Sequence, residues 1–220
     1  MMPIAKKKAW TMALDNCPAL CGECHKLMFL RSDLFDCVAA TERLTKYWTM
    51  RLELFGVAKA FLPLTLGDDG ALKDDKECLE IGVIRVINQT DGGGRGILFL
   101  DPSLQKPDSY QQASLIRSTW YCIHAVLEDE NIQKNGIILL VDLLNARLSQ
   151  FDRKLSTSMM GCLKGCLPLR VAAFHLCHAP TFFGYVFPII KLLMGSRLRK
   201  RVKMNYGSNE NVLKIMKEYG

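Results

Sequence analysis

The sequence predicts an α/β protein in which a small helical N-terminal segment precedes a mainly parallel sheet flanked by helices. Three observations carry that expectation. Between Leu27 and Leu54 the apolar residues Leu27, Leu30, Leu34, Val38, Leu44, Tyr47, Trp48 and Leu52 recur mostly every three or four positions, the period of a helix with one buried face. Further along, short uninterrupted apolar runs alternate with helix-length amphipathic stretches, the pattern of βαβ units whose strands are covered on both faces. Hydrophobic residues make up 49% of the 220-residue chain and charged residues 23%, the balance of a folded globular protein rather than a disordered one.

The elements follow in order. Ser32-Asp33 and Asp36 are cap residues between short helices. Gly56, Pro63 and the turn Gly67-Asp68-Asp69-Gly70 close a helical segment at 1–62, and a new helix is expected near Leu72 or Lys73, where a second unit, 71–220, opens. Ile81 to Ile87 is apolar and ends in the tight turn at Asp91-Gly92-Gly93-Gly94. Ile97 to Leu100 is a short strand closed by Asp101-Pro102, and Tyr110 to Glu130 is long and amphipathic, hence helical. Gly136 to Leu144 is a strand with one embedded acid, Asp142, whose carboxylate needs backbone or hydroxyl donors in such apolar company. Arg153 to Cys166 is helical, and Arg170 to Cys177 is a strand again.

The stretch from Pro168 to Leu213 is the most informative. Its strand breaks at His178-Ala179-Pro180 and resumes as an apolar run from Phe182 to Met194, in which Phe183, Val186, Ile190 and Met194 share one helix face. Phe182, Phe187, Ile189 and Leu193 widen that face until the helix is apolar nearly all round. Such a helix is either buried, or alternates between covering a ligand and lying in a bilayer. Residues 171–190 carry no formal charge over the length of a membrane span, but His175, His178, Pro180, Gly184 and Pro188 break them into strand, turn and helix. Arg197, Arg199, Lys200, Arg201 and Lys203 follow with no acid between them. The chain has a net charge of +7, and a basic patch of this kind suits phospholipid headgroups or nucleic acid, unless it is simply a solvated face. Nucleic acid is disfavoured because no aromatic residues interleave with the cations and no recognised motif accompanies them.

Several segments also resemble a family. PLRVAAFHLCHAP, starting at Pro168, is similar to the strand of CRAL-TRIO lipid-transfer domains, which commonly reads P-x-R/K followed by alternating apolar residues and N-x-P. FFGYVFPIIKLL and RLRKRVKMNYGSNENVL resemble that family's gate helix, its basic segment and the strand-loop-helix that follows. LMFLRSDLFDCVAATERLTKYWTMR resembles the N-terminal helical segment. GRGILFLDPS is similar to the first strand, with Gly96 where proline is usual, and GIILLVDLLN to the central strand, with Asp142 at the family's aspartate. The L-P-x-x-Y/F-G-G segment of many members is not found before Gly220. The wording is nearer to the tocopherol and retinaldehyde carriers than to the phosphatidylinositol exchangers, whose headgroup-holding positions correspond here to Leu169, Tyr185 and Pro188.

The resemblance implies a carrier rather than an enzyme: no catalytic residues, no cofactor, no metal, and a small hydrophobic lipid as ligand. The implied cavity is lined by Ile137, Leu139, Val141, Met159, Cys162, Leu169, Val171 and Phe174. The implied gate face is Phe183, Val186, Phe187, Ile190 and Met194, with Gly184 and Gly195 as hinges. Lys191, Arg197 and Arg201 are the implied phosphoinositide contacts. The implied setting is a cytoplasmic monomer, peripherally associated with anionic membranes, with no nucleic-acid partner.

One motif competes. Cys21-Gly22-Glu23-Cys24-His25 matches the C-x-x-C-H of haem attachment, and Cys17, Cys21 and Cys24 match C-x3-C-x2-C of iron–sulfur proteins. Read on one helical face, the same residues are small buried thiols. Nine cysteines, an odd number, and the lack of a continuous apolar stretch behind MMPIAKKKAW point to free thiols in a reducing compartment. A non-transferring membrane scaffold is the remaining alternative. Gly92-Gly93-Gly94-Arg95 lacks the Gly-Lys-Ser/Thr ending of a phosphate loop and reads as a hairpin or loop. No G-x-S-x-G elbow is present, and the histidines have no acid nearby in sequence, so His175 and His178 are read as structural.

Overall fold

The computed structural model describes residues 4–106 and 110–217; the outermost ends of the two expected segments, at 1–3 and 218–220, lie outside the described residues. Three helices open the chain: α1 (Ile4–Asn16), α2 (Glu23–Ser32) and α3 (Cys37–Phe55). Asp36 caps α3, its carboxylate accepting from the backbone N–H groups of Val38 and Ala39 at 3.0 Å each. The buried face of α3 presents Ala40, Tyr47, Trp48, Arg51 and Phe55. The Arg51 guanidinium lies 5.0 Å from the Trp48 ring centroid and donates to the Tyr47 hydroxyl at 2.9 Å, so this buried charge is hydrogen-bonded and stacked.

The connection to the second unit is irregular. The N–H groups of Ala71 and Leu72 donate to Pro63 and Thr65 carbonyls, which holds the chain out of helical conformation where a helix was expected. Helix α4 (Lys76–Glu80) therefore begins later, after Asp75, which is fully buried and paired with Arg117 through two contacts of 2.7 Å.

The sheet has the order β1-β2-β3-β4-β5, from β1 (Ile84–Ile87), β2 (Gly96–Leu100), β3 (Ile137–Asp142), β4 (Val171–Cys177) and β5 (Val202–Asn205). Strand β1 pairs with β2 antiparallel through the Gly92–Gly94 turn, and all later neighbours are parallel. Between them run α5 (Gln112–Val126), α6 (Glu130–Asn135), α7 (Arg153–Gly165), α8 (Phe183–Leu193) and α9 (Ser196–Arg199), and α10 (Asn209–Lys217) follows β5. The single helix expected over 110–130 is divided because Asp129 leaves helical geometry and caps α6, accepting from Asn131 N–H at 2.7 Å. Gly96 is required by a close approach: a Cβ there would stand 2.6 Å from Val126 and 2.9 Å from Ile132.

Strand alternation sorts the apolar residues onto two faces. Leu98, Leu100, Leu139, Val141, Phe174 and Leu176 look toward the helical layer of α5, α7 and α8, and they are linked by the pairings Leu98↔Leu139↔Phe174 and Leu100↔Val141↔Leu176. Phe99, Leu140 and Cys177 look the other way, toward Val212, Leu213 and Met216 of α10. Asp142 accepts from the backbone N–H of Leu144 at 3.1 Å, as expected of a carboxylate in this apolar strand, and also pairs with the His178 imidazole at 2.8 Å. His178 has a φ of 54°, which turns the chain sharply after β4 and aims its ring back at Asp142. His175 is fully buried, with Asn205 3.1 Å from its Nδ1.

Candidate functional site

Two cavities adjoin α8 and the turn that follows it. The first, about 170 Å³, lies at the C-terminal end of the parallel strands. Its floor is Leu100, Val141, Phe174 and Leu176; its walls come from Phe151, Leu155, Met159 and Met160; its roof is Phe182, Phe183, Val186 and Ile190 of the α8 segment. Phe183 and Val186 are buried, and Phe187 stacks on Phe183 with ring centroids 5.8 Å apart. Tyr185 and Leu192, on the other side of α8, are 82% and 78% exposed. Pro188 stands inside α8, where it supplies no N–H to the preceding turn.

Of the eight residues expected to line an apolar cavity, the structure brings Val141, Met159 and Phe174 to this one. Ile137 and Leu139 lie on the same sheet face but are packed into the core. Cys162 is buried against α5, where the Trp120 indole N–H donates to its sulfur at 3.3 Å. Leu169 and Val171 line the second cavity instead. Of the expected gate face, Phe183, Val186 and Ile190 roof the first cavity, Phe187 packs behind Phe183, and Met194 is buried beyond it.

The second cavity is larger, about 390 Å³, and basic. Arg43 from α3, Lys164 from α7, Arg170 before β4, Arg197 from α9 and Arg201 after it converge there. Among the described lining residues Asp33 is the one acid. Its carboxylate is 3% exposed, receives the Arg43 guanidinium at 2.6 and 3.0 Å, and lies 3.6 Å from Arg197, whose side chain is 80% exposed. Burial, followed by repulsion from Arg170 and Arg197, lowers the Arg201 pKa from its ordinary value. Arg201 also donates to the Val171 carbonyl, which fixes its head at the pocket wall. A site of this kind, with several guanidinium groups around one partly neutralised space, can hold a multiply charged anion through charge-assisted hydrogen bonds.

Arg197 and Arg201 thus stand together as expected, whereas Lys191 is exposed on α8 and outside the lining. Arg43, Lys164 and Arg170 were missed. They come from three separate elements, and spacing along the chain carries no sign of their meeting. Asp33, read as a cap, is the C-cap of α2 and is also the counter-charge of the pocket.

The Cys17–His25 segment does not form the single helical face expected. Cys17 precedes a one-turn 3-10 helix (Pro18–Cys21), and Gly22 is extended before α2 begins. Cys17 and Cys21 are buried while Cys24 is exposed. Burial, with the Cys17 thiol beside it, pushes the Cys21 thiol up to about 12. His25 packs among the rings of Phe29, Tyr47 and Trp48, and burial pushes its imidazole down to about 4. Among the described residues no group of three or more His, Cys, Asp or Glu side chains is placed to hold a metal ion, and all nine thiols are free.

Residues 82–219 match the family model of the CRAL/TRIO domain. The chain belongs to the CRAL/TRIO family. Mouse alpha-tocopherol transfer protein-like is 28% identical over 204 residues, which is 88% of this chain and 57% of that protein. Human clavesin-2 is 27% identical over 191 residues, 85% of this chain and 56% of its own length. This CRAL/TRIO chain therefore spans a little over half the length of these relatives. Its fold is similar to the crystal structure of Sfh5, with a TM-score of 0.59 and 13% identity, covering 88% of this chain and 79% of that one. Among the described residues no helix is long and apolar enough to cross a membrane.

Proposed function

We propose that this CRAL/TRIO chain carries a small hydrophobic lipid, without transforming it, and exchanges it at anionic, phosphoinositide-containing membranes. The observation that carries the reading is the junction of the two cavities. One helix roofs an apolar cavity, and the turn that ends it, Gly195–Arg197, enters a pocket of five cations. An apolar cargo and an anionic surface would thus act on the same short stretch of chain. The name of the alpha-tocopherol transfer protein-like relative supports a lipid-handling role.

In this reading Val141, Met159, Phe174, Phe183, Val186 and Ile190 contact the cargo. At about 170 Å³ the cavity is smaller than the ~300–1,000 Å³ of sites that enclose a whole ligand, so α8 moves outward to admit one. Gly184, Pro188 and Gly195 are the points where it would flex. Arg43, Lys164, Arg170, Arg197 and Arg201 hold headgroup phosphates, each cation contributing about 1 kcal/mol near an anionic surface. The protein acts as a monomer, at the cytoplasmic face of the membrane.

Two variants test the halves separately. Arg197→Glu with Arg201→Glu abolishes sedimentation with phosphoinositide vesicles while a lipid adduct in the native mass spectrum persists. Met159→Trp fills the cavity and removes the adduct while vesicle binding persists. Unchanged vesicle binding in the first, or an unchanged adduct in the second, refutes the corresponding half.

A further inference from the structure

The turn between α2 and α3 is an apolar tip beside the basic pocket, and the mechanism above makes no use of it. Leu34, Phe35 and Val38 are 69%, 62% and 72% exposed, three large apolar side chains within five positions. Leu34 and Phe35 have φ values of 55° and 63°, a left-handed conformation that bulky residues rarely adopt even singly. The turn is nevertheless held at both ends. Phe35 N–H donates to the Leu30 carbonyl at 2.7 Å, and Asp36 caps α3. The tip is therefore a preset projection. Leu34 also lines the pocket that contains Arg43, Arg170, Arg197 and Arg201, so apolar tip and cationic patch are continuous.

We propose that Leu34, Phe35 and Val38 form a wedge that enters the acyl region of an anionic bilayer while the adjoining cations engage headgroup phosphates. The inference rests on the reading of that pocket as a headgroup site. Charge selects the occupant: apolar side chains alone would suit many partners, but an apolar tip rimmed by guanidinium groups matches the acyl-to-phosphate boundary of an anionic leaflet. The same pocket is bordered by Gly195 and Ser196, just past the end of α8, whose Leu192 is exposed, so the bilayer would meet a second apolar element near the cations. The wedge keeps the protein seated while α8 moves.

The test uses the whole chain with phosphatidylcholine vesicles, with and without phosphatidylinositol bisphosphate. In a Trp10→Phe background, Phe35→Trp adds an exposed indole to a chain whose remaining tryptophans, Trp48 and Trp120, are fully buried. Its emission should shift to the blue and be quenched by bromines on the acyl chains, with the anionic vesicles only. Phe35→Ser with Val38→Ser, at positions outside the pocket lining, should weaken vesicle partition on the order of tenfold while leaving binding of soluble inositol trisphosphate unchanged. If the wild type binds these vesicles but the new indole is not quenched and the double variant binds equally well, the wedge is overturned and the headgroup reading stands. If neither vesicles nor inositol trisphosphate bind the wild type, both fall together. If light scattering shows a dimer in solution that the double variant abolishes, the tip belongs to a second copy of the chain and the wedge is likewise overturned.

Discussion

Asp33 is a carboxylate almost wholly removed from water and held by a guanidinium with two contacts, the geometry in which charge is best compensated. It also subtracts one charge from the pocket it lines. Replacing it with Asn should therefore act in two directions. Loss of the buried ion pair, with part of the hydrogen bonding retained, should lower stability by ~1–3 kcal/mol. Release of Arg43 and Arg197 should raise the affinity for inositol trisphosphate roughly tenfold, as a unit charge at this distance allows in a partly solvated site. Calorimetric titration and thermal melting of Asp33→Asn separate the two effects, and a weaker affinity would show that Asp33 organises the pocket rather than restrains it. A second residue-scale consequence concerns pH. Burial holds His25 at about 4 and His124 at about 3, both below their ordinary value of 6.5. The unfolded chain therefore takes up protons first as pH falls. The stability these neutral imidazoles permit is complete above pH 6.5 and is lost progressively toward pH 4 and pH 3. The loss is on the order of several kcal/mol, comparable with the total stability of a typical domain. The Nε2 of His25 is buried without a hydrogen-bond partner, so His25→Phe should cost little at neutral pH and flatten the acid limb of the denaturation midpoint. An unaltered limb would mean that other groups set the acid sensitivity.

At the scale of elements, α8 combines an apolar inner face with a proline that leaves the preceding turn one hydrogen bond short. Pro188→Ala should restore that bond, stiffen the helix and slow lipid exchange between vesicles several-fold, with headgroup affinity unchanged because Pro188 is outside the basic pocket. Equal exchange rates would show that α8 moves as a rigid piece about its ends. The sequence made this helix legible because its signal is local: a run of apolar residues at helical spacing between a Pro180 break and a basic block. The strands β2, β3 and β4 were legible for the same reason, as was the Asp36 cap. What stayed hidden depends on position along an element or on distant partners. Ile137, Leu139 and Val171 were expected in the cavity because the family resemblance placed them there. A resemblance of strand segments does not show where along the strands the cavity opens; here Ile137 and Leu139 are packed into the core and Val171 lines the basic pocket. Arg43, Lys164 and Arg170 meet Arg201 only after α3, α7 and β4 have packed. The delayed start of α4 likewise follows from Asp75 being drawn into the core by Arg117, 42 positions away.

At the scale of the whole molecule, the N-terminal helices and the sheet unit share one buried core. Tyr47 of α3 lies 4.9 Å from Trp120 of α5 between ring centroids and 3.1 Å from the His124 ring nitrogen. Arg31 of α2 reaches Glu130 at 2.8 Å and Gln133 at 2.5 Å on α6, and Arg43 reaches the Leu167 carbonyl at 3.2 Å. Arg117 completes the junction. It pairs with fully buried Asp75 and also donates to the Leu54 carbonyl at 3.3 Å, so one guanidinium joins α3, the linker and α5. Removing it leaves a carboxylate in the core with no counter-charge, a change that typically costs ~3–5 kcal/mol. Arg117→Ala should therefore lower the melting temperature by on the order of 10 °C or more. Lys46→Ala, which removes an exposed pair with Glu42 3.8 Å away, should move it by a degree or two at most. Because the shared core contains Trp48 from the first unit and Trp120 from the second, near-ultraviolet circular dichroism follows both. In the wild type and in Arg117→Ala the aromatic and helical signals should disappear in one transition. Two separated transitions would show that the helical segment and the sheet unit fold independently, in which case the basic pocket built from both would open before the apolar cavity does.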